Sequence, residues 1–242
     1  MRRFWKSVSL RSTPTHYEIQ LDQSRSLRTP SGSLLAVPLH HPLLARLIVH
    51  EWDSQQRLIK SHALPLTSLV ARAIDGFAEE GERKMAVEEM LKYAQTDTIC
   101  FHESSPKALV RLQAEHWDPL LDWVSSRFGH RPSTAQDTLV INQPPELITS
   151  LRSHLQGLDA LHLACLEKSL HLTKSLYLSL ALLEGRLGVE EAMKAAWVET
   201  NAQVETWGEV EDSHDVGWAE LGRELGAVRL AVVSSPAGAA AM

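Results

Sequence analysis

Cysteine is scarce in this chain of 242 residues: Cys100 and Cys165 stand far apart, and no C-x-x-C pair occurs. That spacing leaves neither a zinc ribbon nor a vicinal redox pair to read, and it predicts two buried thiols in a reducing compartment. Long hydrophobic runs are missing too. The most apolar stretch, residues 175–183, is nine residues long, against the roughly 20 that a bilayer-spanning helix needs, so no membrane insertion is expected. No secretory signal is readable, because the basic start (Arg2, Arg3, Lys6, Arg11) runs straight into RFWKSVSL, which alternates like a strand. An organellar location would then imply a targeting peptide that is not in this sequence. Nucleotide cradles are absent as well: there is no G-x-x-x-x-G-K-[ST], no G-x-G-x-x-G and no G-x-S-x-G elbow.

Positive charge is also in short supply. The net charge is −6, which argues against nucleic acid, whose binding needs a basic face to displace counterions from phosphates. The acids are unevenly placed. Residues 199–224 hold eight of them (Glu199, Glu205, Glu209, Glu211, Asp212, Asp215, Glu220, Glu224) against one base, Arg223. An acidic face on an otherwise near-neutral body reads either as a partner surface or as a solvated helix. With 44% hydrophobic and 22% charged residues, the remainder is ordinary globular composition with enough apolar side chains for a sizeable core.

The hydrophobic period changes along the chain. Near the N-terminus Phe4, Lys6, Val8 and Leu10 alternate with Trp5, Ser7 and Ser9, and Tyr17, Ile19 and Leu21 repeat at period two, predicting two or three antiparallel strands before and after a turn at residues 29–33. From Pro42 the rhythm is helical, with further helices expected from Pro65, from Glu82, on either side of Asp118-Pro119, after Pro144-Pro145, and as one helix over 189–207. Asp118 is expected to cap the helix that follows it. The apolar, β-branched run 228–233 predicts a closing strand, the TLVIN run (138–142) another, and the alanine-rich tail from residue 235 predicts disorder. The resulting expectation is α+β: a small β-rich N-terminal domain with a helix (1–62), then a larger mostly helical C-terminal domain (63–234).

Chemistry is harder to find. Twelve histidines show no structural-zinc spacing; His40 and His41, being adjacent, are expected to point to different sides, and a metal site assembled in three dimensions is left open. No cofactor is expected. The best enzyme candidate is WGEVEDSHD (207–215), where carboxylates beside His214 would supply a general acid and base. Acids crowded at a helix start, with Asp212 or Ser213 as cap, explain the same residues without catalysis. Seven tryptophans are expected mostly in the core, although a few exposed ones would suit protein binding.

Seven segments, in order, carry a resemblance: RFWKSVSL from Arg3, LRTPSGSLLAVP from Leu27, EWDSQ from Glu51, PLTSLVARAID from Pro65, YAQTD from Tyr93, WDPLLDW from Trp117 and WGEVEDSHD from Trp207. Together they resemble the family of chaperones that hold the alpha subunit of the ATP synthase catalytic head in mitochondria and α-proteobacteria. The resemblance implies a small β domain plus a helical domain and an ATP-independent, non-enzymatic holdase. Such a holdase would bind unassembled alpha subunit as a monomer until the beta subunit replaces it. The implied location is the mitochondrial matrix, or the cytoplasm of a bacterium. Where the family has a tight turn before its LRTP segment, this chain reads LDQSRSLRTP, predicting a longer turn. The residues singled out for client binding are Glu209, Glu211, Asp212 and Asp215, then Trp52 and Asp53. A generic protein-binding module with another client is the competing reading, and an enzyme built on 209–215 the third.

Overall fold

The period-two residues of the N-terminus do pair as strands. The computed structural model describes residues 2–136 and 141–233. Its elements begin with β1 (Val8–Ser12), β2 (His16–Leu21), β3 (Arg25–Ser26), β4 (Ala36–Pro38), α1 (Pro42–Asp53), α2 (Pro65–Gly76) and α3 (Glu80–Lys92). They continue with β5 (Phe101–His102), α4 (Lys107–His116), α5 (Asp118–Phe128), β6 (Ala135–Gln136), α6 (Pro145–Gly157) and α7 (Ala160–Thr173). The last four are α8 (Leu176–Leu183), α9 (Val189–Ala196), α10 (Val198–Trp207) and α11 (His214–Val233). The fold class is α+β, as the change of period predicts. The chain divides into two compact units. One comprises residues up to Arg83, Asp159–Cys165 and the chain from Ala227; the other comprises Lys84–Leu158 and Leu166–Gly226. The sequence-based boundary at residue 62 falls inside the first unit, which also holds α2.

In the first unit β2 is central. It pairs antiparallel with β1 along one edge, Leu10 opposite Ile19, while β3 and β4 pair along the other. Ile19, Leu21 and Val37 are buried, and α1 sets Leu44, Ala45 and Ile48 into the same core. Regular strand starts only at Val8, because the residues before it turn aside: the Arg3 N–H donates to the Arg57 carbonyl, and its guanidinium donates to the Asp53 carbonyl. The expected longer turn before LRTP is in fact tight. Gln20 pairs with Ser26 and Leu21 with Arg25 around three residues, with Asp22 and Gln23 at φ 51° and 59°. The Asp22 carboxylate stabilises that backbone by accepting the Lys6 and Ser7 N–H groups at 2.8 and 3.1 Å.

The second unit is built round α8, all eight of whose residues are buried. A short helix apolar on every face has to sit at the centre of other elements. Ser175 caps it, its hydroxyl accepting the Leu178 N–H. Trp117, 1% exposed, donates its indole N–H to the Ala195 carbonyl at 2.8 Å. Both cysteines are buried free thiols, which burial pushes up from their ordinary range. Among the described residues, no helix is long and apolar enough to cross a membrane.

Four local expectations are corrected. Residues 228–233 are the end of α11, not a strand: Leu221, Leu225, Val228 and Val232 are all buried, a helical stripe that the β-branched run obscures when read alone. The helix expected over 189–207 breaks at Trp197 (φ −108°, ψ 20°), giving α9 and α10. Trp117, not Asp118, takes the cap position of α5, and Asp118 lies in its first turn. The His40 and His41 rings do not diverge; their centroids are 4.3 Å apart. Most of the TLVIN run and the tail from Ser234 lie outside the described residues.

Candidate functional site

Six of the seven segments singled out in the sequence are absorbed by the fold. In the first unit Trp5 packs against Trp52 with ring centroids 5.1 Å apart and the rings tilted at 53°. The Trp52 indole N–H donates to the Thr67 hydroxyl at 3.0 Å. The Glu51 carboxylate closes the N-terminus of α2, accepting the Leu66 and Thr67 N–H groups at 2.7 and 2.9 Å. That cap replaces one a local side chain would supply. Asp75 does the same for the loop at Thr29, whose hydroxyl it accepts at 2.6 Å, together with the Ser31 N–H at 3.1 Å. Hydrogen bonds from Ser31 and Thr29 hold the Asp75 carboxyl below its usual range. Trp52 is therefore half-buried and engaged on both sides. Asp53 is 61% exposed and sits 3.5 Å from the Arg3 guanidinium. In the second unit, Asp97 of YAQTD and Trp117 of WDPLLDW are buried structural groups.

The seventh segment, 207–215, is different. It joins α10 to α11 as an exposed turn. Gly208 at φ 88° ends α10, and Asp212 at φ 59° reverses the chain. Glycine takes the first of these without strain, and a short acid tolerates the second. The Val210 carbonyl accepts the His214 N–H at 3.1 Å, and the Val210 N–H donates to His214 Nδ1 at 3.2 Å. Ser213 stands at the cap position, its carbonyl accepting the Gly217 N–H at 3.0 Å. The base of the turn rests on Trp197, whose ring centroid lies 6.5 Å from His214 and 5.4 Å from Trp218. Gly217 lies close beneath it: a Cβ there would come within 3.2 Å of the Trp197 ring, a tight contact.

Above that base the side chains face solvent. Glu209, Glu211, Asp212 and Asp215 are all exposed. Among the described residues, no cation pairs with any of the four. Two other acids of the same region are compensated: Glu205 receives two hydrogen bonds from Arg111, at 2.6 and 2.8 Å, and Glu224 pairs with Lys168 and Arg223, both at 2.8 Å. The sequence therefore overstates the breadth of the acidic face but locates its uncompensated part. It also misses the apolar half of the same turn. Trp207 is 79% exposed, Val210 58% and Val216 56%. The available signal was a tryptophan directly before a helix-ending glycine. The acidic turn and the Trp52–Asp53 pair belong to different units.

As a catalytic centre the turn is poorly equipped. The Nδ1 of His214 is occupied by a backbone donor, and the carboxylates stand in open solvent rather than in a substrate-sized cleft. Among the described residues, no group of three or more His, Cys, Asp or Glu side chains is placed to hold a metal ion. A groove of about 570 Å³ between α4, α9 and α10 is lined by Arg111, Glu115, His116, Lys194, Asn201 and Glu205, whose charges largely satisfy one another.

The family model described as ATP12 chaperone protein matches residues 2–125. The mitochondrial protein atp12 of Schizosaccharomyces pombe is 34% identical over 233 residues, covering 93% of this chain and 79% of the relative. The mitochondrial protein ATP12 of Saccharomyces cerevisiae is 30% identical over 264 residues, covering 93% of this chain and 81% of the relative. The solved structure of Atp12 from Paracoccus denitrificans superposes with a TM-score of 0.80 at 31% identity, covering 96% of each chain. The family model covers six of the seven segments, and the two yeast relatives are matched over 93% of the chain: the chain belongs to the ATP12 chaperone family, the assembly chaperones of the ATP synthase.

Proposed function

We propose that this chain binds the unassembled alpha subunit of the F-type ATP synthase catalytic head, keeps it from aggregating, and yields it to the beta subunit. An unassembled subunit exposes apolar interface that associates non-specifically unless something covers it. A holdase that releases by exchange needs no hydrolysis of its own, and the sequence carries no P-loop with which to perform it. The chain acts as a monomer and not as an enzyme. Its compartment is the mitochondrial matrix, in line with its yeast relatives; the bacterial cytoplasm is the alternative raised by the Paracoccus structure.

The observation that carries this reading is the turn at 207–215. Its base packs on Trp197, but its four acidic side chains stand in solvent with no cation beside them among the described residues. Like charges held together without partners oppose folding slightly, while at an interface they steer and select a partner of opposite sign. Glu209, Glu211, Asp212 and Asp215 are the first assigned client contacts. Trp52 and Asp53, which belong to the other unit, are assigned second, Asp53 as an exposed carboxylate and Trp52 as its half-buried neighbour.

The test is a pull-down with this chain as bait against separately expressed alpha and beta subunits, without nucleotide. Selective capture of alpha that is lost when beta is added supports both the client and the exchange. A soluble, folded bait that captures no alpha moves the generic protein-binding module to the front.

A further inference from the structure

Trp207 is the most exposed large apolar side chain among the described residues, at 79%, and it stands at the rim of the acidic turn. Leaving an indole in water forgoes the burial free energy of one of the largest apolar surfaces a residue can offer. Its neighbours in the turn repeat the pattern, with Val210 58% and Val216 56% exposed. The acids Glu209, Glu211, Asp212 and Asp215 alternate with or flank these apolar groups, so exposed apolar and anionic side chains are interleaved along the turn. Trp197 and His214 fix its base, so the tip is held in shape before any partner arrives, and less ordering entropy opposes binding.

We infer that Trp207 is the anchor of the client interaction, seated in an apolar cleft of the client whose rim carries lysine and arginine side chains. This deepens the alpha-subunit reading above and rests on it. The occupant's chemistry follows from complementarity: an indole flanked by valines needs an apolar floor, and four unpaired carboxylates need a cationic rim. Tryptophan is the residue type that most often dominates binding energy at the centre of an interface, and charged side chains around it contribute register and encounter rate. The acids alone would bring the partner to the turn; the indole holds it there.

The experiment compares the chain with W207A and W207F for binding to separately expressed, unassembled alpha subunit, at about 0.05 and 0.5 M salt. Each variant is also melted, and because Trp207 is 79% exposed the melting temperatures are expected to match the parent. W207A is expected to weaken binding by roughly 30-fold or more at both salt concentrations, through faster dissociation, with W207F retaining most of the affinity. In parallel, the chain labelled with 5-fluorotryptophan is titrated with alpha subunit. The resonance assigned by its loss in W207F is expected to shift or broaden, while that of Trp117, 1% exposed, stays in place. W207A binding within about threefold of the parent overturns the anchor while leaving the client intact. A parent chain that binds no alpha subunit overturns the client reading and the anchor with it.

Discussion

The Asp97 carboxylate accepts the backbone N–H of Leu176 at 2.7 Å, joining residues 79 apart in the chain and closing the N-terminus of the fully buried helix α8. The same carboxylate accepts the Tyr177 N–H at 3.1 Å and the Ile99 N–H at 3.3 Å. Burial pushes its pKa up to about 7, against the hydrogen bonds from Ser175, Tyr177, Ile99 and Leu176 that favour the anion. Between the ordinary value of 3.8 and about 7 the folded state therefore binds more protons than the unfolded chain. Stability contributed by this group is full below the lower value and declines as pH rises through the window, by at most about 4 kcal/mol. Asp97→Asn keeps an acceptor but cannot titrate, so its melting temperature is expected to lose that part of the pH dependence. Asp97→Ala leaves buried donors unpaired and is expected to cost about 3 kcal/mol or more by chemical denaturation at any pH.

Trp117 tests a second long-range tie. Its ring is 1% exposed, and its N–H reaches the Ala195 carbonyl 78 residues away. Trp117→Phe removes the donor and part of the ring, leaving a buried carbonyl short of its partner. The expected loss is about 2–3 kcal/mol in unfolding free energy, read by chemical denaturation. An effect below roughly 0.5 kcal/mol would mean that the indole N–H is not a structural bond.

Much of this architecture was readable from periodicity, because Ile19, Leu21, Leu44, Ile48, Leu147, Leu151 and Leu155 repeat at the spacing of the element that buries them. What failed is local ambiguity. The run ending at Val233 contains enough β-branched residues to pass for a strand, and only the registered stripe through Leu221 and Leu225 reveals a helix. The ties made by Glu51, Asp75, Asp97 and Trp117 were not legible, since each joins its partner across many residues and nothing in local spacing marks the pair. The same holds for the site. The sequence shows the acids, but only the fold separates Glu205 and Glu224, which are paired, from Glu209 and Glu211, which are not. Exposure of Trp207 is likewise a property of where α10 ends.

The support beneath the turn offers a third prediction. Trp197 is half-buried against His214, Trp218 and Gly217 and lies outside the proposed contact surface. Trp197→Leu keeps an apolar filler but removes the flat ring on which the turn rests. It is expected to lower stability by about 1–3 kcal/mol and, at a temperature where the variant remains folded, to weaken alpha-subunit binding roughly tenfold by loosening the tip. Binding equal to the parent, with the stability loss present, would show that the turn needs no preorganisation.

The acids themselves are tested by reversal. Glu209→Lys with Glu211→Lys turns two uncompensated negative charges positive in a solvent-exposed turn, where the fold makes no use of them. The melting temperature is expected to stay within about 1–2 °C of the parent, because exposed charges of this kind contribute little to folding. The association rate with unassembled alpha subunit is expected to fall by about tenfold at low salt, and the difference is expected to shrink as ionic strength rises and screens the fringe. Stopped-flow association measured across a salt series separates this steering role from the holding role assigned to Trp207, whose loss acts on dissociation. An unchanged association rate at low salt would remove the acidic fringe from the interface and leave its uncompensated charge without a function in binding.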